Sequence, residues 1–129
     1  GVWFTFGSLV NGVAGGKAIS FDGSADYIDL TQNLSNFSSM TAGRISAWVK
    51  LALGGNYKAI VSMSDDTDAS SECILWIDPD NRPQFEIRED SVNIASARGD
   101  IFIALNLNEW YYIVAVSDGT NHPKIFINE

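Results

Sequence analysis

Hydrophobic positions along this chain recur at every second residue or gather in short runs, and Gly, Asn, Asp and Ser bound nearly every run. A period of two puts successive side chains on opposite faces of an extended backbone, so the pattern predicts strands and no helix. Strands are expected over residues 2–6, 17–21, 25–30, 43–51, 58–64, 72–78, 83–88, 100–105, 109–117 and 123–127. Many short strands with closely spaced turn signals make a sandwich or a barrel. No repeat or inter-domain linker interrupts the series, so one domain spanning residues 1–129 is expected.

Several connections carry their own turn chemistry. Asp78-Pro79-Asp80-Asn81 places a proline where its fixed φ suits the second turn position, and predicts a hairpin between "ECILWI" and "PQFEIRE". "SDGTNHPK" predicts another between "EWYYIVAV" and "KIFIN", with Gly119 free to take a positive φ. In "KAISFDGSADYIDL", Asp22 is expected to cap a hairpin turn with its side chain, Gly23 to be left-handed, and Tyr27 and Ile28 to resume a strand. Asp22, Asp26 and Asp29 recur at every third or fourth position, which also suits a rim of carboxylates facing a cation or a sugar; both readings stand. The polar segment "TQNLSNFSSMTAG" reads as a loop, and its overlapping Asn-x-Ser acceptors at Asn33 and Asn36 mark it as surface.

Taken in order, "GKAISFDGSADYIDL", "GRISAWVKL", "KAIVSMS", "LNEWYYIVAVSDG" and "KIFINE" resemble the laminin G-like domain of the concanavalin A-like lectin/glucanase fold. The shared features are a Phe-Asp-Gly turn before an Asp-Tyr-apolar strand, an Ala-Trp-Val strand, a Trp-started apolar strand ending near Asp-Gly, and a strand ending at an Asn. The resemblance runs from about Gly16 to the end of the chain. It implies an all-β, antiparallel jelly-roll sandwich, and calcium at the sandwich rim is common in that family. The family pattern continues past the final Asn into further strands, so the chain is expected to be a fragment or module of a larger protein.

Composition narrows the function classes. Sixteen acidic against eight basic side chains give a formal net charge of −8, with Lys and Arg scattered singly along the chain. Nucleic acid and anionic membranes are therefore disfavoured as partners. No apolar run approaches the ~18 residues of a spanning helix, so membrane insertion is not expected. The single Cys73 lies in the apolar run "CILWI" and reads as a structural thiol.

An enzyme is not expected. Glycoside cleavage on this fold needs carboxylates two residues apart on one strand, and in "FEIRED" the position two after Glu86 is Arg88, with Asp90 beyond it. Glu86 and Arg88 read instead as an outer face alternating with core Phe85 and Ile87. The only histidine, His122, sits in a turn beside Pro123 and has no partner set for nucleophilic or zinc chemistry.

Two candidate sites remain. The segment "SDDTDASSE" offers Asp65, Asp66, Asp68 and Glu72 as oxygen ligands for Ca2+, or is simply an acidic solvated loop. In "RISAWVK", alternation puts Arg44, Ser46, Trp48 and Lys50 opposite Ile45, Ala47 and Val49; in "ECILWID" it puts Trp76 with Glu72, Ile74 and Asp78. Trp48 and Trp76, with Arg44, are candidate ligand-binding residues, since an exposed indole can stack on a sugar ring while polar neighbours take its hydroxyls. Alternatively a loop or the N-terminal segment covers these rings. Trp110 and Tyr112, in the most continuous apolar strand, are expected in the core.

The resulting expectation is a non-catalytic module binding a glycan or glycosylated surface in an extracellular or cell-surface protein. The first alternative is a structural or assembly domain, of a surface appendage or virus particle, making protein contacts at an open sheet edge. The second is a glycosidase-like remnant.

Overall fold

The two-residue alternation carries through into the computed structural model, which describes residues 3–5, 8–36, 42–64, 72–89, 92–98, 103–119 and 123–128. The described residues form antiparallel strands and two short 3-10 turns, Val13–Gly15 and Thr31–Asn36, with no α-helix among them. The fold is an all-β, antiparallel sandwich, as the alternation predicts. Contacts cluster into two units, Gly1–Met40 and Thr41–Glu129.

The first unit holds β1 (Trp3–Thr5), β2 (Ser8–Asn11), β3 (Lys17–Ser20) and β4 (Tyr27–Asp29). β2 pairs with β3 and β1 with β4, so the expected hairpin across Phe21–Asp26 is corrected: the segment is a corner between two different sheets. Its local chemistry is nonetheless the expected one. Asp22 Oδ1 accepts the backbone N–H groups of Ser24, Ala25 and Asp26 at 2.8, 3.0 and 3.2 Å, Asp26 Oδ2 accepts the N–H of Asp22 at 2.9 Å, and Gly23 has φ +74°. Carboxylates take these amides instead of a partner strand, and the chain continues into β4, which pairs with β1.

The second unit holds β5 (Gly43–Lys50), β6 (Lys58–Ser64), β7 (Glu72–Ile77), β8 (Pro83–Glu89), β9 (Val92–Arg98), β10 (Trp110–Ser117) and β11 (Lys124–Ile127). One sheet has the order β11-β10-β5, the other β6-β7-β8-β9. Their inner faces share a core of Leu51, Leu75, Ile77, Phe85, Leu105, Tyr111, Ile113 and Ala115. Each fully buried aliphatic side chain contributes about 1.5–3 kcal/mol of transfer free energy. Cys73 packs against this core, and burial pushes its thiol pKa up, as suits a structural cysteine.

The β7–β8 hairpin closes as its sequence requires. Asp78 Oδ1 accepts the N–H groups of Asp80 and Arg82, both at 2.9 Å, Oδ2 accepts Gln84 Nε2 at 2.8 Å, and Asn81 takes φ +63°. β10 and β11 form the second expected hairpin, with Gly119 at φ +83°.

The strand expected at 100–105 is also corrected. Residues 103–105 are not a strand, and β9 lies earlier, where alternating small and polar residues conceal it in the sequence. Within this stretch Leu105 alone docks: it is 2% exposed, whereas Ile103 is 46% exposed, and the Leu105 N–H donates to the Asn81 carbonyl at 2.9 Å.

Candidate functional site

On β5 the side chains alternate strictly between covered and exposed, with Ile45, Ala47 and Val49 inward and Arg44, Ser46, Trp48 and Lys50 outward. β10 alternates in the same way: Tyr111, Ile113 and Ala115 are buried, and Trp110, Tyr112 and Val114 stand on the other face. This corrects the expectation that Trp110 and Tyr112 belong to the core. Their strand is apolar on both faces, which masks the alternation in the sequence.

The antiparallel register aligns these outward rows. Trp48 lies opposite Tyr112, and Lys50 opposite Trp110. Trp48 and Tyr112 have ring centroids 5.2 Å apart at 36°, and Lys50 Nζ stands 5.2 Å from the Trp110 ring centroid. Directly opposed side chains on a sheet are the natural contact pairs, and an ammonium over an indole is attracted by the ring quadrupole. Trp48 remains 51% exposed.

Asn128 completes the row. It takes φ +58°, a conformation that Asn tolerates better than most residues, and its backbone N–H donates to the Tyr112 carbonyl at 2.8 Å. Tyr112 N–H donates in turn to Asn128 Oδ1 at 2.9 Å. Trp48, Trp110, Tyr112 and Asn128 together line a shallow depression open to solvent. The arrangement suits stacking against a flat, partly apolar ring, with amide and ammonium groups at its margin.

Trp76 occupies a different place. It points outward from β7, opposite Gln84 on β8, whereas Leu75 and Ile77 point into the core shared with β10. Trp48 and Trp76 therefore stand on the outer faces of different sheets and do not form one platform. Tyr57 stacks on Trp76 at 5.0 Å and 28°, so a loop residue covers this ring. The loop is held close by Gly54, where a Cβ would stand 2.9 Å from Asn81 Oδ1. Trp76 Nε1 is buried and has no hydrogen-bond partner among the described residues.

Of the calcium candidates, Asp65, Asp66 and Asp68 lie outside the described residues, as do Asp90 and His122. Glu72 begins β7 with Oε1 3.3 Å from Arg88 Nη1. Among the described residues no group of three or more His, Cys, Asp and Glu side chains is placed to hold a metal. Arg88 also binds Glu86, Nε to Oε1 at 2.7 Å, so the outer face of β7 and β8 is laced by ion pairs.

The site residues not singled out from sequence are Tyr112, Trp110, Lys50 and Asn128. Their shared face follows from parity alone once β5 and β10 are known to be neighbours, and that pairing is what a single sequence does not state. A laminin G family model, described as the concanavalin A-like lectin/glucanases superfamily, matches residues 22–128. No curated protein and no solved structure matches the chain.

Proposed function

The chain belongs to the concanavalin A-like lectin/glucanases superfamily, and on that premise we propose that it is a non-catalytic carbohydrate-binding module of a secreted or surface protein. Binding uses the outer face of the β11-β10-β5 sheet. The observation that carries the reading is the side-by-side pair Trp48 and Tyr112. An indole held half in water on a rigid strand, beside a second ring and an asparagine amide, is ready to stack on a sugar without reorganising. Trp48 and Arg44 belong to this face; Trp76, capped by Tyr57, does not take part.

The test is a glycan array on folded protein, followed by calorimetry on the strongest hit. Binding is expected to disappear in Trp48→Ala and Tyr112→Ala and to persist in Trp76→Ala. Full binding by Trp48→Ala would overturn the assignment.

A second reading, assembly through an open sheet edge, draws on one observation: among the described residues β5 and β11 are the outer strands of their sheet. Unpaired strand edges can accept another chain. Sedimentation of the protein over a range of concentrations tests it, with reversible self-association as the expected signature.

A further inference from the structure

The aromatic face differs in charge from the chain that carries it. Lys and Arg are scattered along the sequence, but folding gathers Arg44, Lys50 and Lys124 onto the outward positions of β5 and β11. No outward strand position on β5, β10 or β11 holds a carboxylate, although the chain as a whole has a net charge of −8. All three cations are exposed, and none is in an ion pair with a described carboxylate. Arg82 and Arg88, by contrast, are both paired with acids.

The cations sit at the two ends of the aromatic row. Arg44 and Lys124 both lie opposite Val116, and Lys50 lies opposite Trp110. Six strand positions separate Arg44 from Lys50, roughly 20 Å at ~3.3 Å per residue. Trp48, Tyr112 and the partly exposed Phe126 lie between. At physiological salt charges are screened beyond ~8 Å, so a ligand lying on this face responds most to the charges beside it, which on the strands themselves are these three cations.

We infer that the ligand is a polyuronate: an extended polysaccharide carrying one carboxylate on some or all of its sugars. Its rings lie over Trp48 and Tyr112, and its carboxylates reach Arg44 with Lys124 at one end and Lys50 at the other. A guanidinium is a fork-shaped partner for a carboxylate. Sparse, single charges match three cations spread along the strands, whereas a heavily sulfated chain or a nucleic acid brings far more charge than this face can neutralise. The inference rests on the carbohydrate-binding reading and adds the charge and extent of the ligand.

Oligogalacturonates of increasing length, their methyl esters, heparin oligosaccharides and a single-stranded oligonucleotide would be titrated calorimetrically into wild type, Trp48→Ala and the double variant Arg44→Gln/Lys124→Gln. Thermal melts would confirm that each variant is folded. The free acid is expected to bind about tenfold or more tighter than its ester, an advantage corresponding to one or more charge-assisted contacts. That advantage should grow until the oligomer spans both cationic ends, shrink with added salt, and fall in the double variant to the part that Lys50 alone supplies; an undiminished advantage in that variant would overturn the proposal. Equal binding of acid and ester, both lost in Trp48→Ala, would overturn the polyuronate and leave the carbohydrate reading standing. Tighter binding of heparin or of the oligonucleotide would overturn it in favour of that ligand class. Absence of binding to all probes would overturn the polyuronate, and the glycan array then decides the carbohydrate reading separately.

Discussion

Asn128 holds Tyr112 from both sides of the peptide, its backbone N–H donating to the Tyr112 carbonyl at 2.8 Å and its Oδ1 accepting the Tyr112 N–H at 2.9 Å. A side-chain amide thereby continues the ladder one step beyond β11, and it does so at a left-handed φ of +58°. Asn128→Ala loses the acceptor and strains the backbone, whereas Asn128→Gly loses the acceptor alone. Denaturant melts should show a loss of about 1–2 kcal/mol for alanine and a smaller loss for glycine. Both variants should weaken any ligand stacked on Tyr112.

Trp48 and Trp76 should respond differently to a fluorescence quencher. Trp48 is 51% exposed, and Trp76 lies beneath Tyr57. Iodide quenching reduced in Trp48→Phe by more than in Trp76→Phe is the expected pattern. Tyr57→Ala should then make Trp76 accessible, and an unchanged quenching constant in that variant would argue against the cap.

Ile113 is fully buried on the inward row of β10. Ile113→Ala should cost about 2–5 kcal/mol through lost burial and the cavity left behind. Since Ile113 faces away from the aromatic row, the folded fraction should keep wild-type affinity. Calorimetry corrected for folded protein separates the two effects.

Acid should loosen each unit through its own carboxylate. Side-chain hydrogen bonds from Asn106 and Tyr111 hold the Glu109 pKa below its ordinary value of 4.5, and the N–H groups of Ser24, Ala25 and Asp26 hold Asp22 below 3.8. A carboxyl whose pKa is lowered by folding stabilises the folded state above its ordinary value, and loses that contribution as pH falls through the lowered one. Melting temperature should therefore fall as the solution is acidified below about pH 4.5. Glu109→Gln should flatten the upper part of that decline.

Chelator should leave binding at the aromatic row unchanged. The outward positions of β5, β10 and β11 contain no carboxylate that could hold Ca2+. Titration with and without chelator checks this. A loss of affinity would return attention to the acidic segment around Asp65, Asp66 and Asp68.

Strand identity was legible wherever one face is apolar and the other polar. "RISAWVK" gave β5 its correct faces because Arg44, Ser46 and Lys50 contrast with Ile45, Ala47 and Val49. "WYYIVAV" did not, because Trp110, Tyr112 and Val114 are as apolar as the inward residues beside them. Turn chemistry was legible at Asp22 and Asp78, since a carboxylate capping nearby amides is a local event. Where those turns lead was not. Asp22 begins a corner and Asp78 a hairpin, and the difference lies in which distant strand receives the next segment. For the same reason the Trp48–Tyr112 contact was hidden: it depends on β5 meeting β10 across about sixty residues of intervening chain.

The connector between β9 and β10 carries an amide in an unusual position. Leu105 lies in no strand, but its N–H is bonded to the Asn81 carbonyl at the tip of the β7–β8 hairpin, and its side chain is buried in the core. Loop amides ordinarily exchange their hydrogens for deuterium quickly, because local fraying exposes them. The Leu105 amide can exchange only when the connector lifts from the hairpin and its side chain leaves the core. Its exchange rate thus follows the undocking of one sheet from the other, and a single slow resonance outside every strand becomes a gauge of how firmly the sandwich is closed.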